Sequence, residues 1–206
     1  MKNIIFDWSG VVKDAVEAQL WKVNKVFNKF GVESIYMQEF KENFELPYMV
    51  FYNRYLPNVT KEQQDVYYKE LSFSLECPKS DSCTGVADLI KKLKNQGHYL
   101  AIVSSDSPEF LLAEMKEFDL ENIFDDMIME VHHKEEGVLS LIDKRKLDKN
   151  ITYFIGDSNH EIEVAKSTGI KSIGVTWGFS TEEKLATFSP DYMAHDAKEL
   201  EDILMA

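Results

Sequence analysis

The sequence predicts an α/β protein with a doubly wound parallel sheet and an inserted all-helical cap, and three short apolar runs carry the sheet prediction. The runs are residues 3–6, 99–103 and 151–155. Such runs are typical of parallel strands that are buried on both faces. The polar residues that end them are Asp7, then Ser104 and Ser105, then Asp157. Because ligands bind beyond the carboxyl ends of these strands, the polar residues indicate an active site at one edge of the sheet.

Helical periodicity replaces the strand pattern after the first run. Leu20, Val23, Phe27 and Phe30 recur at three- and four-residue steps, and Gly31 follows them as a natural C-terminal stop. This pattern predicts an amphipathic helix directly after the first strand.

Further helices are predicted in the same insert. A stretch through Phe40 is broken at Pro47, and an aromatic stripe covers residues 48–55. Thr60 and Gln63 have the spacing of a capping box, which predicts the start of one more helix.

Residues 14–82 are therefore expected to form a helical cap, with a core made of residues 1–13 and 83–206. Thirteen of the 25 aromatic residues lie between residues 21 and 73, so this segment can bury a small core of its own.

Strands and helices alternate after Cys83. One helix is expected to end at Gly97, and Ser107 with Pro108 resembles an N-cap followed by a proline at the first helical position. The later strands are expected at residues 124–131, 151–155, 171–175 and 192–194. This alternation favours a doubly wound parallel sheet.

Composition limits the partners and the location of the protein. The 206 residues carry a net charge of −13, which argues against nucleic acid or an anionic membrane as a partner. No stretch approaches the roughly 18 apolar residues of a membrane span, and Met1 and Lys2 lead straight into a strand without a signal peptide. Cys77 and Cys83 are too few for a disulfide framework and lack a second ligand pair for zinc, so a cytoplasmic location is expected.

Four separated stretches carry a family resemblance. They are Asp7-Trp8-Ser9-Gly10-Val11-Val12, Ser104 at the end of a strand, Lys134 in a later loop, and Gly156-Asp157-Ser158-Asn159-His160-Glu161. In this order they resemble the four motifs of the haloacid-dehalogenase superfamily, in the branch of phosphoglycolate-phosphatase-like hydrolases. The stretch at residues 173–179 is also similar to what this branch carries after its next strand.

The resemblance implies a phosphatase that forms a covalent aspartyl-phosphate. Asp7 would be the nucleophile, which splits hydrolysis into two easier steps. Asp7, Asp157 and the backbone carbonyl of Ser9 would bind Mg²⁺, and Glu161 would act through water or serve only as a first-turn acid of its helix. Lys134 would neutralise charge in the transition state.

Other residues are expected to hold the substrate, a small phosphorylated metabolite. Ser104 would donate a hydrogen bond to the phosphoryl oxygens, helped by the backbone amides of Ser105 and Asp106 at a helix N-terminus. The cap would set specificity by closing over the site, and Arg54 is its candidate for contact with the substrate. His132 and His133 are expected to be solvated loop residues.

Ser9 departs from the family pattern. Most phosphatases of this family have an aspartate there, which acts as general acid and then as general base. A serine hydroxyl cannot do this near neutral pH, and such catalysis contributes about 10²–10⁴-fold. We therefore expect slow hydrolysis, or activity limited to good leaving groups, unless another side chain, such as one from the cap, supplies the proton.

Two alternatives to a magnesium-dependent phosphatase stay open. One is a phosphonatase-like or dehalogenase-like hydrolase, although dehalogenases of this fold work without a metal and the acids Asp157 and Glu161 argue against that chemistry. The other is a non-catalytic, phosphate-binding or regulatory protein in which Ser9 marks lost turnover.

Overall fold

A computed structural model describes residues 1–131 and 133–206 of the chain, and its strands form one six-stranded sheet. The strands are β1 (Asn3–Phe6), β2 (Tyr99–Val103), β3 (Asp126–Ile128), β4 (Thr152–Gly156), β5 (Lys171–Val175) and β6 (Tyr192–Ala194). All pairings are parallel, and the strand order is β3-β2-β1-β4-β5-β6. This is the order of a doubly wound α/β sheet, so the predicted fold class is confirmed.

The strand order reverses at β1, which lies between β2 and β4. Asn3 is in register with Tyr99 on one side and with Thr152 on the other. In this fold, ligands bind in the crevice beyond the carboxyl ends of the strands at the reversal point. Asp7 and Asp157 directly follow β1 and β4, so both lie at that crevice.

Residues 14–82, here called the helical segment, contain four helices. They are α1 (Val16–Lys29), α2 (Met37–Asn43), α3 (Tyr48–Tyr55) and α4 (Lys61–Ser72). The predicted capping box opens α4, since Thr60 and Gln63 each bond the backbone N–H of the other. A separate hydrophobic cluster around Phe27, Phe40 and Phe51 holds these helices together.

The helical segment joins the rest of the protein through two chain crossings that lie side by side. The Asp14 N–H donates to the Asp81 carbonyl at 2.8 Å, and the Cys83 N–H donates to the Val12 carbonyl at 2.8 Å. We propose the domain division expected from the sequence, with a cap of residues 14–82 on a core of residues 1–13 and 83–206, and this paired crossing supports it.

Helices cover both faces of the sheet. After the helical segment they are α5 (Val86–Asn95), α6 (Pro108–Glu117), α7 (Lys134–Arg145), α8 (Asn159–Thr168), α9 (Glu182–Thr187) and α10 (Ala197–Met205), with a 3₁₀ turn at Lys149–Ile151. Alternate residues of β1 point to opposite faces: Ile4 and Phe6 pack in a cluster with α5, α6 and α10, whereas Ile5 packs with α7 and α8. The sheet therefore lies between two layers of helices, with one hydrophobic cluster on each of its faces.

Two local expectations differ from the structure. Strand β3 is shorter than the predicted residues 124–131, because the chain turns at Glu130, where φ is +56°, and the Glu130 N–H bonds the Asp106 carbonyl at 2.9 Å. Ser107 does precede α6, but its hydroxyl makes no capping bond. Along the described parts of the chain, no helix is long and apolar enough to cross a membrane.

Candidate active site

Asp7 lies at the floor of the crevice. Its backbone N–H donates to the Ile155 carbonyl at 3.0 Å, which fixes the residue against β4. Its side chain is buried, and Oδ1 lies 2.8 Å from Nζ of Lys134. This contact joins two residues that are 127 positions apart, as the motif order predicts.

Lys134 begins α7 and also contacts the first turn of α8. Its Nζ donates to Oε1 of Glu161 at 2.7 Å, and the Ser158 hydroxyl donates to the other oxygen of Glu161 at 2.7 Å. Lys134 and Glu161 are 3% and 1% exposed, so this ion pair lies in the interior. Glu161 is thus held by Lys134 and Ser158, which goes beyond the first-turn acid that the sequence suggested.

Asp157 is enclosed by backbone. Its Oδ2 accepts a hydrogen bond from the Phe179 N–H at 2.6 Å. Gly10, with φ +85°, and Gly178 both approach so closely that a Cβ on either one would overlap the Asp157 carboxylate. This close approach requires glycine at position 10 in the first motif and at position 178 in the stretch of residues 173–179.

The buried acids outnumber their cation. Burial raises the pKa of Asp7 to about 7 despite the charge of Lys134. Burial also raises the pKa of Asp157 well above its ordinary value, and the carboxylates of Glu161 and Asp7 add to the shift. Burial alone would lower the pKa of Lys134, but Asp7 and Glu161 raise it above its ordinary value, so this lysine stays charged.

The three acids fit a divalent cation. Asp7, Asp157 and Glu161 each offer a carboxylate oxygen, and these oxygens lie within 4.8 Å of one another. Hard carboxylate oxygens are the ligands that Mg²⁺ prefers. One lysine cannot balance three buried carboxylates, so the donor set and its charge both suit a bound cation.

The loop after β2 is arranged differently from the expectation. The Ser104 side chain is fully buried, and its hydroxyl donates to Oδ2 of Asp106 at 2.9 Å. The hydroxyl of Ser9 donates to the same oxygen at 2.9 Å. Ser105 is exposed and lines the cavity above Asp7, whereas Ser104 does not.

A cavity of about 350 Å³ separates this floor from the helical segment. Its core side includes Asp7, Ser9, Ser105, Asp106, Lys134 and Asp157. Its opposite wall includes Gln19, Lys22, Tyr48, Tyr52, Gln64, Asp65 and Tyr68. Tyr48 and Tyr52 belong to the aromatic stripe that the sequence shows at residues 48–55, but sequence reasoning missed the other five, because single polar residues on amphipathic helices form no motif.

Arg54 does not line the cavity, so the expectation that it contacts substrate needs correction. Its guanidinium pairs with Glu45 and is half-exposed on the outer side of α3. The helical stripe was read correctly, but Arg54 lies two residues beyond Tyr52 and so faces another way. His133 is exposed, and His132 lies outside the described residues.

Comparison with known proteins places these motifs in context. A family model of haloacid dehalogenase-like hydrolases matches residues 4–175. A phosphoglycolate phosphatase from Synechococcus elongatus is 23% identical over 204 residues, which are 97% of this chain and 95% of the relative. The pyrophosphatase PpaX from Listeria innocua is 23% identical over 203 residues, which are 96% of this chain and 94% of the relative.

A solved structure shows the same fold along the whole chain. The crystal structure of a predicted phosphatase from Clostridium acetobutylicum matches with a TM-score of 0.82 at 21% identity, and it covers 100% of this chain and 99% of its own. The likeness therefore extends over the helical segment as well as the sheet.

Proposed function

This chain belongs to the haloacid dehalogenase-like hydrolases, and from that premise we propose that it is a magnesium-dependent phosphatase of a small phosphorylated metabolite that works through an aspartyl-phosphate on Asp7. The observation that carries the proposal is the buried contact of Asp7 with Lys134 at the floor of the cavity. The two relatives, a phosphoglycolate phosphatase and a pyrophosphatase, are by name hydrolases of phosphate compounds and support the same class.

Asp7 would attack the phosphorus atom of a substrate in the cavity. The bond from phosphorus to the leaving oxygen breaks, and the phosphoryl group stays on Asp7. Lys134 offsets the negative charge of the nucleophile and the phosphoryl oxygens, while Glu161 and Ser158 keep the lysine in place. Water then attacks phosphorus, the bond between phosphorus and the Asp7 oxygen breaks, and inorganic phosphate leaves while Asp7 is regenerated.

Asp7, Asp157 and the Ser9 carbonyl would hold Mg²⁺, with Glu161 next to them. When bound, this cation supplies positive charge to the phosphoryl oxygens. The backbone amide of Ser105 remains a candidate for the same oxygens, since the loop after β2 borders the cavity, whereas the Asp106 N–H already donates to the Ser104 hydroxyl at 3.1 Å.

The proposed partners and location follow from charge and cysteine chemistry. A net charge of −13 opposes nucleic acid as a substrate. Cys77 and Cys83 are not joined by a disulfide, which supports the cytoplasm as the proposed location.

Ser9 favours a second candidate, a regulatory protein that binds a phosphorylated ligand without turnover. The retained set of Asp7, Lys134 and Asp157 argues for catalysis, because ligand binding alone does not need a buried nucleophile. The assay below separates the two functions.

The test is phosphate release from a panel of small phosphoesters and acyl phosphates, with and without Mg²⁺. We expect metal-dependent release that is lost in Asp7→Asn. Asp88→Asn removes an exposed carboxylate that does not line the cavity and serves as the matched control. No release by the folded, Mg²⁺-supplied protein from any member of the panel would instead support the regulatory function.

A further inference from the structure

Asp106 brings a carboxylate to the place where Ser9 departs from the family pattern. Oδ2 of Asp106 accepts hydrogen bonds from the hydroxyls of Ser9 and Ser104, both at 2.9 Å. The Asp106 N–H also donates to the Ser104 hydroxyl at 3.1 Å. The carboxylate is therefore held by the loops after β1 and β2.

The second oxygen of the Asp106 carboxylate, Oδ1, makes no hydrogen bond in the described structure. Asp106 is half-buried and lines the cavity with Asp7 and Ser105. Within residues 1–131 and 133–206, Oδ1 of Asp106 accepts no hydrogen bond, and no cationic side chain lies within 4.0 Å of the carboxylate. By contrast, both oxygens of Asp65 on the opposite wall are bonded, to Tyr48 and to Lys61.

Resting on the phosphatase function proposed above, we propose that Asp106 is the general acid and base of the reaction, in place of an aspartate at position 9. The position of the carboxylate carries this inference: it touches Ser9 and borders the same cavity as the nucleophile Asp7. Ser9 and Ser104 then act as positioning residues that fix one oxygen and leave the other for the substrate.

The proton balance closes over two steps. In the first, an oxygen of Asp7 bonds to phosphorus, the bond to the leaving oxygen breaks, and Asp106 gives its proton to that oxygen, so that an alcohol departs. In the second, Asp106 takes a proton from water while the water oxygen bonds to phosphorus. The bond between phosphorus and Asp7 then breaks, phosphate leaves, and Asp106 is protonated again.

A general acid at Asp106 changes the rate of hydrolysis that is expected with serine at position 9. From the sequence alone, the serine predicts slow hydrolysis or a need for good leaving groups. With Asp106 as the general acid and base, alkyl phosphates are ordinary substrates, and the Ser9 hydroxyl is a hydrogen-bond donor to the catalytic carboxylate.

The test compares Asp106→Asn with the unchanged protein on glycerol phosphate and on p-nitrophenyl phosphate. We expect kcat on glycerol phosphate to fall by about 10²-fold or more, the usual size of a general acid–base contribution. On p-nitrophenyl phosphate, whose leaving group needs no proton, we expect a nitrophenolate burst equal to the enzyme concentration, followed by slow turnover. The burst reports an intact first step and a blocked second step, which a merely structural role would not produce.

The control is Glu109→Gln, which removes an exposed carboxylate in the first turn of α6, three residues further along. Its rates should equal those of the unchanged protein. Unaltered rates in Asp106→Asn, or equal loss of burst and steady-state turnover, would overturn the role of Asp106. No release by the unchanged protein from these two compounds or from any member of the panel described above would overturn the phosphatase function itself, and this inference with it.

A second variant keeps the test decisive if Asp106→Asn does not fold. Ser9→Asp puts a carboxylate directly against Asp106. We expect lower turnover on glycerol phosphate, because the two adjacent carboxylates then repel each other. A gain in turnover would show that the acid is missing from the protein and would overturn the proposal.

Discussion

Lys134 is the residue on which the charge balance of the site depends. It is the one cationic side chain within 4.0 Å of Asp7 and Glu161 among the residues that the structure describes, apart from the His160 ring near Glu161. Truncating one partner of a buried ion pair costs about 3–5 kcal/mol, because the charge left behind stays buried without compensation.

We expect Lys134→Met to lower both activity and stability. Phosphate release should fall by about 10²-fold or more, since the transition state loses a preorganised charge, and urea unfolding should show a loss of several kcal/mol. Lys116→Met, at an exposed position of α6, is the matched control and should change neither quantity. Unchanged stability in Lys134→Met would contradict the buried ion pair.

At this scale the sequence predicted residues that belong to motifs and missed those that do not. Asp7, Lys134 and Asp157 could be placed together because each follows or begins a recognisable element at a fixed place in the motif order. Asp106 could not be assigned, because its role depends on a contact with Ser9 across 97 positions. Arg54 was misplaced, because helical phase within a short stripe does not show which face meets the cavity.

The helices α1, α3 and α4 form the cavity wall opposite Asp7, where the part of a substrate beyond its phosphate would lie. The buried Tyr52 hydroxyl and Gln64 Oε1 on this wall have no hydrogen-bond partner in the described structure. A buried polar group without a partner costs about 1–3 kcal/mol. A polar leaving group would therefore find unsatisfied groups ready to bond it.

Lys22 adds a cation to this wall. Its ammonium lies 5.1 Å from the centre of the Tyr68 ring, and no carboxylate of the described residues comes within 4.0 Å of it. Burial lowers its pKa, and the nearby acids Asp106 and Glu114 offset this shift only in part. The wall therefore favours a substrate with a second negative group.

We expect Lys22→Met to raise KM by about tenfold for phosphates that carry a carboxylate or a second phosphate, which corresponds to the loss of one charged hydrogen bond of about 1.4 kcal/mol. KM for an uncharged alkyl phosphate should stay nearly the same. Lys69→Met changes an exposed lysine of α4 and is the control. An equal rise in KM for both substrate types would contradict a charge-specific contact.

The sequence predicted helices and strands well where a long apolar pattern marks them, and poorly where that pattern is short. The helix α1 and the start of α4 followed from apolar spacing and from the capping box at Thr60. Strand β3 has three residues, none of them fully buried, so its bounds carry no apolar pattern. Its C-terminal end is set by the turn at Glu130 instead.

For the whole molecule, the main electrostatic feature is an excess of acidic over basic side chains, both in the chain as a whole and in the crevice. The chain carries a net charge of −13, and three of its carboxylates converge in the crevice. A ligand that binds only the folded state stabilises it by about 2.7 kcal/mol at a hundredfold excess over Kd. A divalent cation in the crevice should therefore stabilise the entire fold.

We expect saturating Mg²⁺ to raise the melting temperature by about 5–10 °C, from about 2–4 °C per kcal/mol for a chain of this size. Asp157→Asn should lose most of this rise. NaCl at matched ionic strength is the control for general screening of the net charge. The same rise with NaCl, or in the variant, would contradict a specific site in the crevice.

The central place of β1 has a consequence for the order of assembly during synthesis. Strand β1 precedes both of its partners in the chain and pairs with residues 99–102 on one edge and with residues 152–155 on the other. Closing such long loops costs entropy before any contact repays it, so sheets of this kind form slowly. The helical segment has its own apolar cluster and is complete before either partner strand exists. A growing chain therefore holds β1 without a partner strand until residues 99–103 have been made, and with one unpaired edge until residues 152–156 have been made. This interval is when chaperones have most to protect.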